Sequence, residues 1–571
     1  MLNFKYITMK KIYIIATIVL TGILSSCNEE EFLKEEAYDF YEAEVSYVNQ
    51  EQFDAAVVNL YSSTSYNVMW NGDYYNGGAY ALQYASDMSF ATQWLTVGLS
   101  SFTDFLIPES RFALDYWKNY YKVIFDANVI LEKIDDENVD FDSEANRLAI
   151  KAEASFFRAY MYMKLAHIYG GVPLILEPAS GPKRDYVRAS RGEVYQQAII
   201  DAEFAAANLP HVTELEQDGR LTEAAANHLL TELYITVGDY DAAIAAASLV
   251  INDPSYALMT ERFGNRKDDP GDVYYDLFVR DNQNRNSMGG LNTEAIWVAQ
   301  YEYQTEGGGT GMNSAFTFTP QYWSLEGKSD GVPLFIGPTE KYGGPGVGII
   351  APTTYFLGLF NDVSDIRGSE YNIIHDIPAD NPASSYYGQN IVESDAYTLP
   401  NWDESGKRTW SAIITKMTPI NNFPDDVIED SSTGLIWWLG QNSFRDHYYM
   451  RLSETYLLRA EAYLRNGENI MAASDINTVR ARAHATPVSP EDVDIDYILD
   501  ERSRELYYEE ARVLTLMRMG KLAERVQKYD PKHNGELHNF QIQEYHNLFP
   551  IPQSEIERNT EAVLEQNPGY N

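Results

Sequence analysis

Cysteine is almost missing from this chain of 571 residues, where Cys27 stands alone. A single thiol has no internal partner, which excludes a disulfide framework. Basic residues are scarce too: 43 Lys and Arg face 84 Asp and Glu, a formal net charge of −41. A field of that sign repels phosphate backbones, so nucleic acid is not the expected ligand and a neutral one is. Past the first 24 residues, no apolar run approaches the roughly 18 residues of a spanning helix. Familiar catalytic signatures are also absent: there is no His-Glu-x-x-His helix, no Gly-x-Ser-x-Gly elbow and no phosphate loop. His533 and His538 are wrongly spaced for a metal helix and enclose Gly535, so they read as surface histidines. Asp268, Asp269, Asp272 and Asp276 offer oxygens to calcium but lack the EF-hand order, and read as a solvated loop. Carboxylates are too numerous for a glycosidase pair to stand out. No cofactor or resident metal is expected.

What the chain does carry begins at its N-terminus. Lys10 and Lys11 precede an apolar run from Ile12 to Leu24, then Leu24-Ser25-Ser26-Cys27 and the acidic Glu29 to Glu31. A basic start, a short apolar core and small residues before a cysteine read as a bacterial lipoprotein signal. Cleavage after residue 26 would leave Cys27 to be lipidated, with 27–45 as linker. The mature protein is then tethered to a membrane, not inserted in it.

Apolar residues recur every three or four positions from about Val45 to Ile251, which predicts helices. Ala152 to Tyr169 is the clearest, stopped by Gly170, Gly171 and Pro173. Thr222 to Val237 and Tyr240 to Ile251 form a hairpin about Gly238-Asp239. Leu452 to Arg465 and Met471 to Ala483 form another about Asn466-Gly467. Paired helices with a glycine turn and alanines at the crossing are tetratricopeptide-like. Glu153 with Arg158, and Glu501, Arg502, Arg504 and Glu505, sit where helical charges can pair. Between the helical regions 46–258 and 450–530, the stretch 259–449 is rich in Gly, Asn, Pro and aromatics. The expected fold is therefore mainly α, with helical hairpins supporting an irregular, loop-rich ligand-binding half in one domain, 46–571.

An ordered series of motifs runs through the chain. It comprises the segment before Cys27, Trp117-Lys118-Asn119-Tyr120-Tyr121 with Ala127-Asn128, Ala152 to Pro173, and Glu294-Ala295-Ile296-Trp297. It continues with Arg451-Leu452-Ser453-Glu454, Asn477 with Arg480 and Arg482, Leu499 to Leu506, Phe549-Pro550-Ile551-Pro552 and Gln566 to Tyr570. This series resembles the SusD-like (RagB/SusD) outer-membrane nutrient-binding lipoproteins. The resemblance implies a cell-surface protein without enzymatic activity that closes over a SusC-like TonB-dependent transporter and captures a glycan, with most motifs serving the fold. It also implies a packed end at Gln566 to Tyr570.

A neutral glycan presents apolar ring faces and hydroxyls, so its receptor needs flat aromatics beside amides and carboxylates. The candidates are Asn71, Asp73 and Trp94 in the first aromatic cluster, then Tyr301, Tyr322 and Trp323 beside the glycine-rich segment 307–311, with Arg367 from a later loop. Trp94 and Trp323 are expected to stack on sugar rings, and Asn71, Asp73 and Tyr301 to bind hydroxyls. Fructans and α-glucans are the first ligands to test. A peptide ligand, a surface glycosidase and a tetratricopeptide adaptor are the competing readings.

Overall fold

The computed structural model describes residues 47–65, 81–92, 101–178, 181–286, 291–309, 311–401, 406–436, 438–529 and 541–570. Cys27, His533 and His538 lie outside them. Among the described residues no helix is long and apolar enough to cross a membrane. Asn49–Asn571 folds as one compact unit.

The first helical block contains α1 (Gln50–Thr64), α2 (Arg111–Lys133), α3 (Glu144–Tyr169), α4 (Arg191–Asn208), α5 (Glu223–Val237) and α6 (Tyr240–Ile251). The second contains α7 (Leu452–Arg465), α8 (Asn469–Arg482), α9 (Ile495–Leu506), α10 (Arg512–Arg518) and α11 (Leu522–Tyr529). Side-chain caps start many of them. Ser190 and Glu193 make a reciprocal capping box on α4, and Thr222 and Asp239 cap α5 and α6. The hairpin α5–α6 turns at Gly238, whose φ of +83° closes α5 in the left-handed region that glycine enters without strain. Successive helices pack side by side, α3 between α2 and α4, and α6 between α5 and α7. Small residues make that approach close: Ala243 of α6 meets Ile235, Leu458 and Ala462. The hairpin order read from periodicity is the one observed.

Residues 259–449 carry little regular structure. Two-stranded ribbons organise them: β1 (Ser89–Ala91) pairs with β3 (Ile350–Pro352), and β2 (Ala295–Ala299) with β4 (His447–Arg451), both antiparallel. A separate core of Tyr322, Leu325, Leu334, Phe335, Tyr342, Ile391 and Ile413 lies under the loops. The ribbon β2–β4 runs directly into α7, so the loop-rich half is sewn to the helical one.

Where they meet, charges are buried as a knot. Arg451 bonds Glu294, Glu505 and Glu509; Arg482 bonds Glu294 and Glu505; Arg367 bonds Asp365, Glu501 and Glu505. Burial alone would raise the Glu505 carboxyl, but Arg482, Arg451 and Arg367 hold it well below its ordinary range.

Several expected pairings change partners. Glu153 and Arg158 do not meet, because five residues along a helix is 140° of rotation from alignment. Arg158 instead grips Asp201 of α4 through two bonds of 2.8 and 2.7 Å, and Glu153 accepts from the Tyr61 hydroxyl at 2.9 Å. Glu501 and Arg504 do pair, at 2.8 Å, while Arg502 turns to Glu454 and Glu510. Asp272 caps a short helix and accepts from Ser369 and Asn372, and Asp276 is clasped by Arg262. Both are engaged in holding the loop. The Gln566 to Tyr570 end is packed: the Asn567 amide donates to Tyr169 and Phe549 carbonyls at 2.9 and 2.7 Å.

Candidate functional site

A cleft of about 350 Å3 opens between α1, the α4–α5 connection, the end of β2 and the glycine-rich segment. Each wall has a local reason. All five residues of β2 are buried and its pairing with β4 is irregular on either side of Trp297, while Gln300 and Tyr301 leave the strand toward the opening. The Tyr301 backbone N–H donates to Asp446 at 2.7 Å, and Asn284 donates to the other Asp446 oxygen at 2.6 Å. Burial pushes the Asp446 carboxyl up to about 7, against those two hydrogen bonds. Asp446 thus fixes where Tyr301 leaves the strand.

The glycines are required by proximity. Gly309 has a φ of +74°, and a Cβ there would sit 3.2 Å from the Tyr301 ring. A Cβ at Gly219 would come 2.6 Å from Gln300. Only glycine lets both segments lie against the wall.

The floor is aromatic. The Trp297 indole stacks on Tyr449 of β4 at 4.0 Å and 18°, and meets Phe156 and Tyr160 of α3 edge-on. Trp297 is only 2% exposed, and its Nε1 is buried without a hydrogen-bond partner. The Tyr449 hydroxyl donates to Ser65 at 3.1 Å. The polar side is Ser62, Gln217, Asp218, Arg220 and Gln300. Arg220 lies over the Tyr61 ring, 3.2 Å from Glu153 and 3.6 Å from Asp54. Burial pushes Glu153 up to about 7, against the pull of Arg220 and Tyr61.

An aromatic floor edged by hydroxyl, amide, carboxylate and guanidinium groups is suited to a hydroxyl-rich ligand. A glycosidase needs two carboxyls across the scissile bond. Among the described residues, Asp218 is the carboxylate that lines this cleft.

Of the expected ligand residues, Tyr301 lines the cleft. Asn71, Asp73 and Trp94 lie outside the described residues. Tyr322 is a correction: it is 0% exposed in the loop core, its hydroxyl accepting from the Thr339 N–H at 2.8 Å and its ring set edge-on to Phe335. Arg367 is a second correction, since its guanidinium is 1% exposed and filled by the carboxylates of the knot. Trp323 is half-buried against the loop core, donates from Nε1 to the Gly346 carbonyl at 2.8 Å, and is not part of this cleft. Sequence reasoning missed Tyr61, Asp218, Arg220, Trp297 and Tyr449 as a set. The signal available for Trp297 was its place in the Glu294 to Trp297 motif, read as a fold element.

Comparison with known proteins agrees with this architecture. Residues 293–570 match the SusD family, and residues 30–235 match a family described as starch-binding and associating with the outer membrane. The chain is 25% identical to SusD-like protein P25 of Formosa agariphila, across 97% of this chain and 99% of that one. Over a shorter stretch, 21% of each chain, it is 38% identical to the starch-binding protein SusD of Bacteroides thetaiotaomicron. Among solved structures, a laminarin-binding SusD-like protein superposes with a TM-score of 0.66, at 24% identity, over 92% of this chain and all of the other. The chain belongs to the SusD family.

Proposed function

We propose that the protein is a cell-surface glycan-binding lipoprotein, anchored through Cys27, which captures a neutral oligosaccharide and passes it to a SusC-like TonB-dependent transporter. The cleft at Tyr301 carries this reading, because its half-buried Tyr61 and Tyr301 rings and mixed polar edge suit the two faces of a sugar. Relatives named for binding starch and laminarin support the same ligand class. In this reading Tyr301 binds at the cleft mouth with Asp218 and Arg220. Asn71 and Asp73 take hydroxyls and Trp94 is a stacking platform, while Trp323, outside the Tyr301 cleft, offers a separate stacking position on the loop-rich half. Laminarin joins fructans and α-glucans as a ligand to test.

The test is calorimetric titration of the soluble form beginning after Cys27 against these polysaccharides, with polymer length followed in parallel. Binding to one class without shortening is expected. Tyr301→Ala is expected to weaken it about tenfold, or about 1.4 kcal/mol, with an unchanged melting temperature. Shortening of the polymer would make the protein a glycosidase. Full affinity in Tyr301→Ala would move the ligand away from this cleft, and failure of every polysaccharide alongside binding of a peptide library would replace the ligand class.

A further inference from the structure

A second cavity, of about 80 Å3, lies in the helical core among α2, α3, α5, β4 and α10. It is separate in character from the cleft, because its wall carries polar groups that the fold buries but does not satisfy. Lys164 of α3 is 7% exposed, and among the described residues its ammonium makes no hydrogen bond or ion pair, resting instead over the Tyr160 ring at 4.4 Å. Tyr120 of α2 is 0% exposed, and its hydroxyl has no hydrogen-bond partner. The Gln83 Oε1 is likewise buried without one. All three line the same cavity.

The chemistry of these groups selects an occupant. An ammonium can only donate, the Gln83 carbonyl oxygen can only accept, and a phenol does both. Whatever fills the space must therefore donate and accept at once. An anion cannot satisfy Gln83, and Glu232 and Glu454 on the same wall oppose it. Leaving a buried polar atom unpaired is costly, so two such atoms beside an ammonium without an ion pair in one cavity point to a partner.

We infer that this cavity is a built hydration site, in which about three ordered waters by volume bridge Lys164 Nζ, Tyr120 Oη and Gln83 Oε1 and solvate the ammonium inside the core. Lys164 then adds a hydrated positive charge beside Glu232 and Glu454, which meet Arg518 and Arg502 directly at 3.3 and 2.7 Å. Burial lowers its pKa to about 8, while both carboxylates pull it back up.

The experiment is a high-resolution crystal structure of the full soluble chain, from crystals soaked in sodium bromide. Expected are water peaks within hydrogen-bond distance of Lys164, Tyr120 and Gln83 and no anomalous bromide signal in the cavity. A bromide peak at Lys164 would make this an anion site, and an empty cavity or a rotated Lys164 reaching Glu232 would overturn the proposal. Tyr120→Phe, which keeps the shape, should lose the water nearest ring position 4 and keep the one on Lys164. Retention of every peak in that variant would remove Tyr120 from the site.

Discussion

In the helical hairpins, apolar and alanine side chains meet across each crossing, and the backbone satisfies itself within each helix. In the loop-rich half the backbone pairs in short ribbons and scattered loop-to-loop bonds, such as Gln321 N–H to the Arg408 carbonyl and Glu340 N–H to the Gly434 carbonyl. Side chains add further joints: Arg445 donates to the carbonyls of Phe278 and Lys416, and Asn372 reaches Asp272 and the Ile366 carbonyl. The first region tolerates loss of one contact among many similar ones. The second depends on particular bonds, and the charged knot between them depends on every partner at once. Taking two charges from water costs several kcal/mol per ion and is recovered only when the partners are all in place.

That contrast can be broken most sharply at the knot. Glu505→Gln removes the carboxylate shared by Arg367, Arg451 and Arg482 and should cost about 3–5 kcal/mol, read as a lowered midpoint in urea unfolding. A cost no greater than a surface substitution would mean the three arginines find other partners.

Next in size is an acid effect at a second buried cluster. Burial would raise Asp87, but Arg512 and Arg525 bring it down to about 2. A lowered folded-state pKa gives stability that is fully present above the unfolded value near 4 and is lost as pH falls through about 2. The loss is on the order of 2 kcal/mol. Asp87→Asn is less stable at neutral pH, because two arginines lose their counter-charge, and its stability should fall less steeply than that of the parent below pH 4. Parallel acid-unfolding curves would remove Asp87 from the account.

Smaller changes sharpen the difference between the halves. Tyr322→Phe strands the Thr339 N–H in the loop core and should cost about 1–2 kcal/mol, whereas Ser190→Ala at the α4 cap should cost about 1 kcal/mol. Thermal denaturation of the pair should rank the loop substitution as the worse. The exposed pair Lys328 and Asp395 marks the floor. Lys328→Ala should change stability by less than about 0.5 kcal/mol, and a larger loss would show that the loop surface carries structure of its own.

The same division explains how far the sequence could be read. Ala152 to Tyr169 and the hairpins about Gly238 and Gly467 were legible because a helix writes its buried face into its own neighbours, with glycine marking the stops. Tyr301 was legible beside the glycine-rich segment. The rest of the cleft was not, because Tyr61, Arg220, Trp297 and Tyr449 come from four separate elements, and no local pattern announces their convergence. Arg367 shows the limit from the other side: in sequence a loop arginine is only a charge, and two of its three carboxylates, Glu501 and Glu505, lie more than a hundred residues away on α9.

The knot also sets the order in which the chain can become itself. Glu294, Arg367, Arg451, Arg482 and Glu505 are scattered over more than two hundred positions, and β2 must find β4 across about a hundred and fifty. Such distant closures are slow, because the chain entropy is spent before the contact rewards it. Hydrated charges have no reason to leave water until all partners arrive, so the knot closes late and both halves are committed together. A molecule with either half unformed would hold unmatched charge at its centre. Folding and unfolding should therefore pass through one gate, giving a single cooperative transition in place of one for each half.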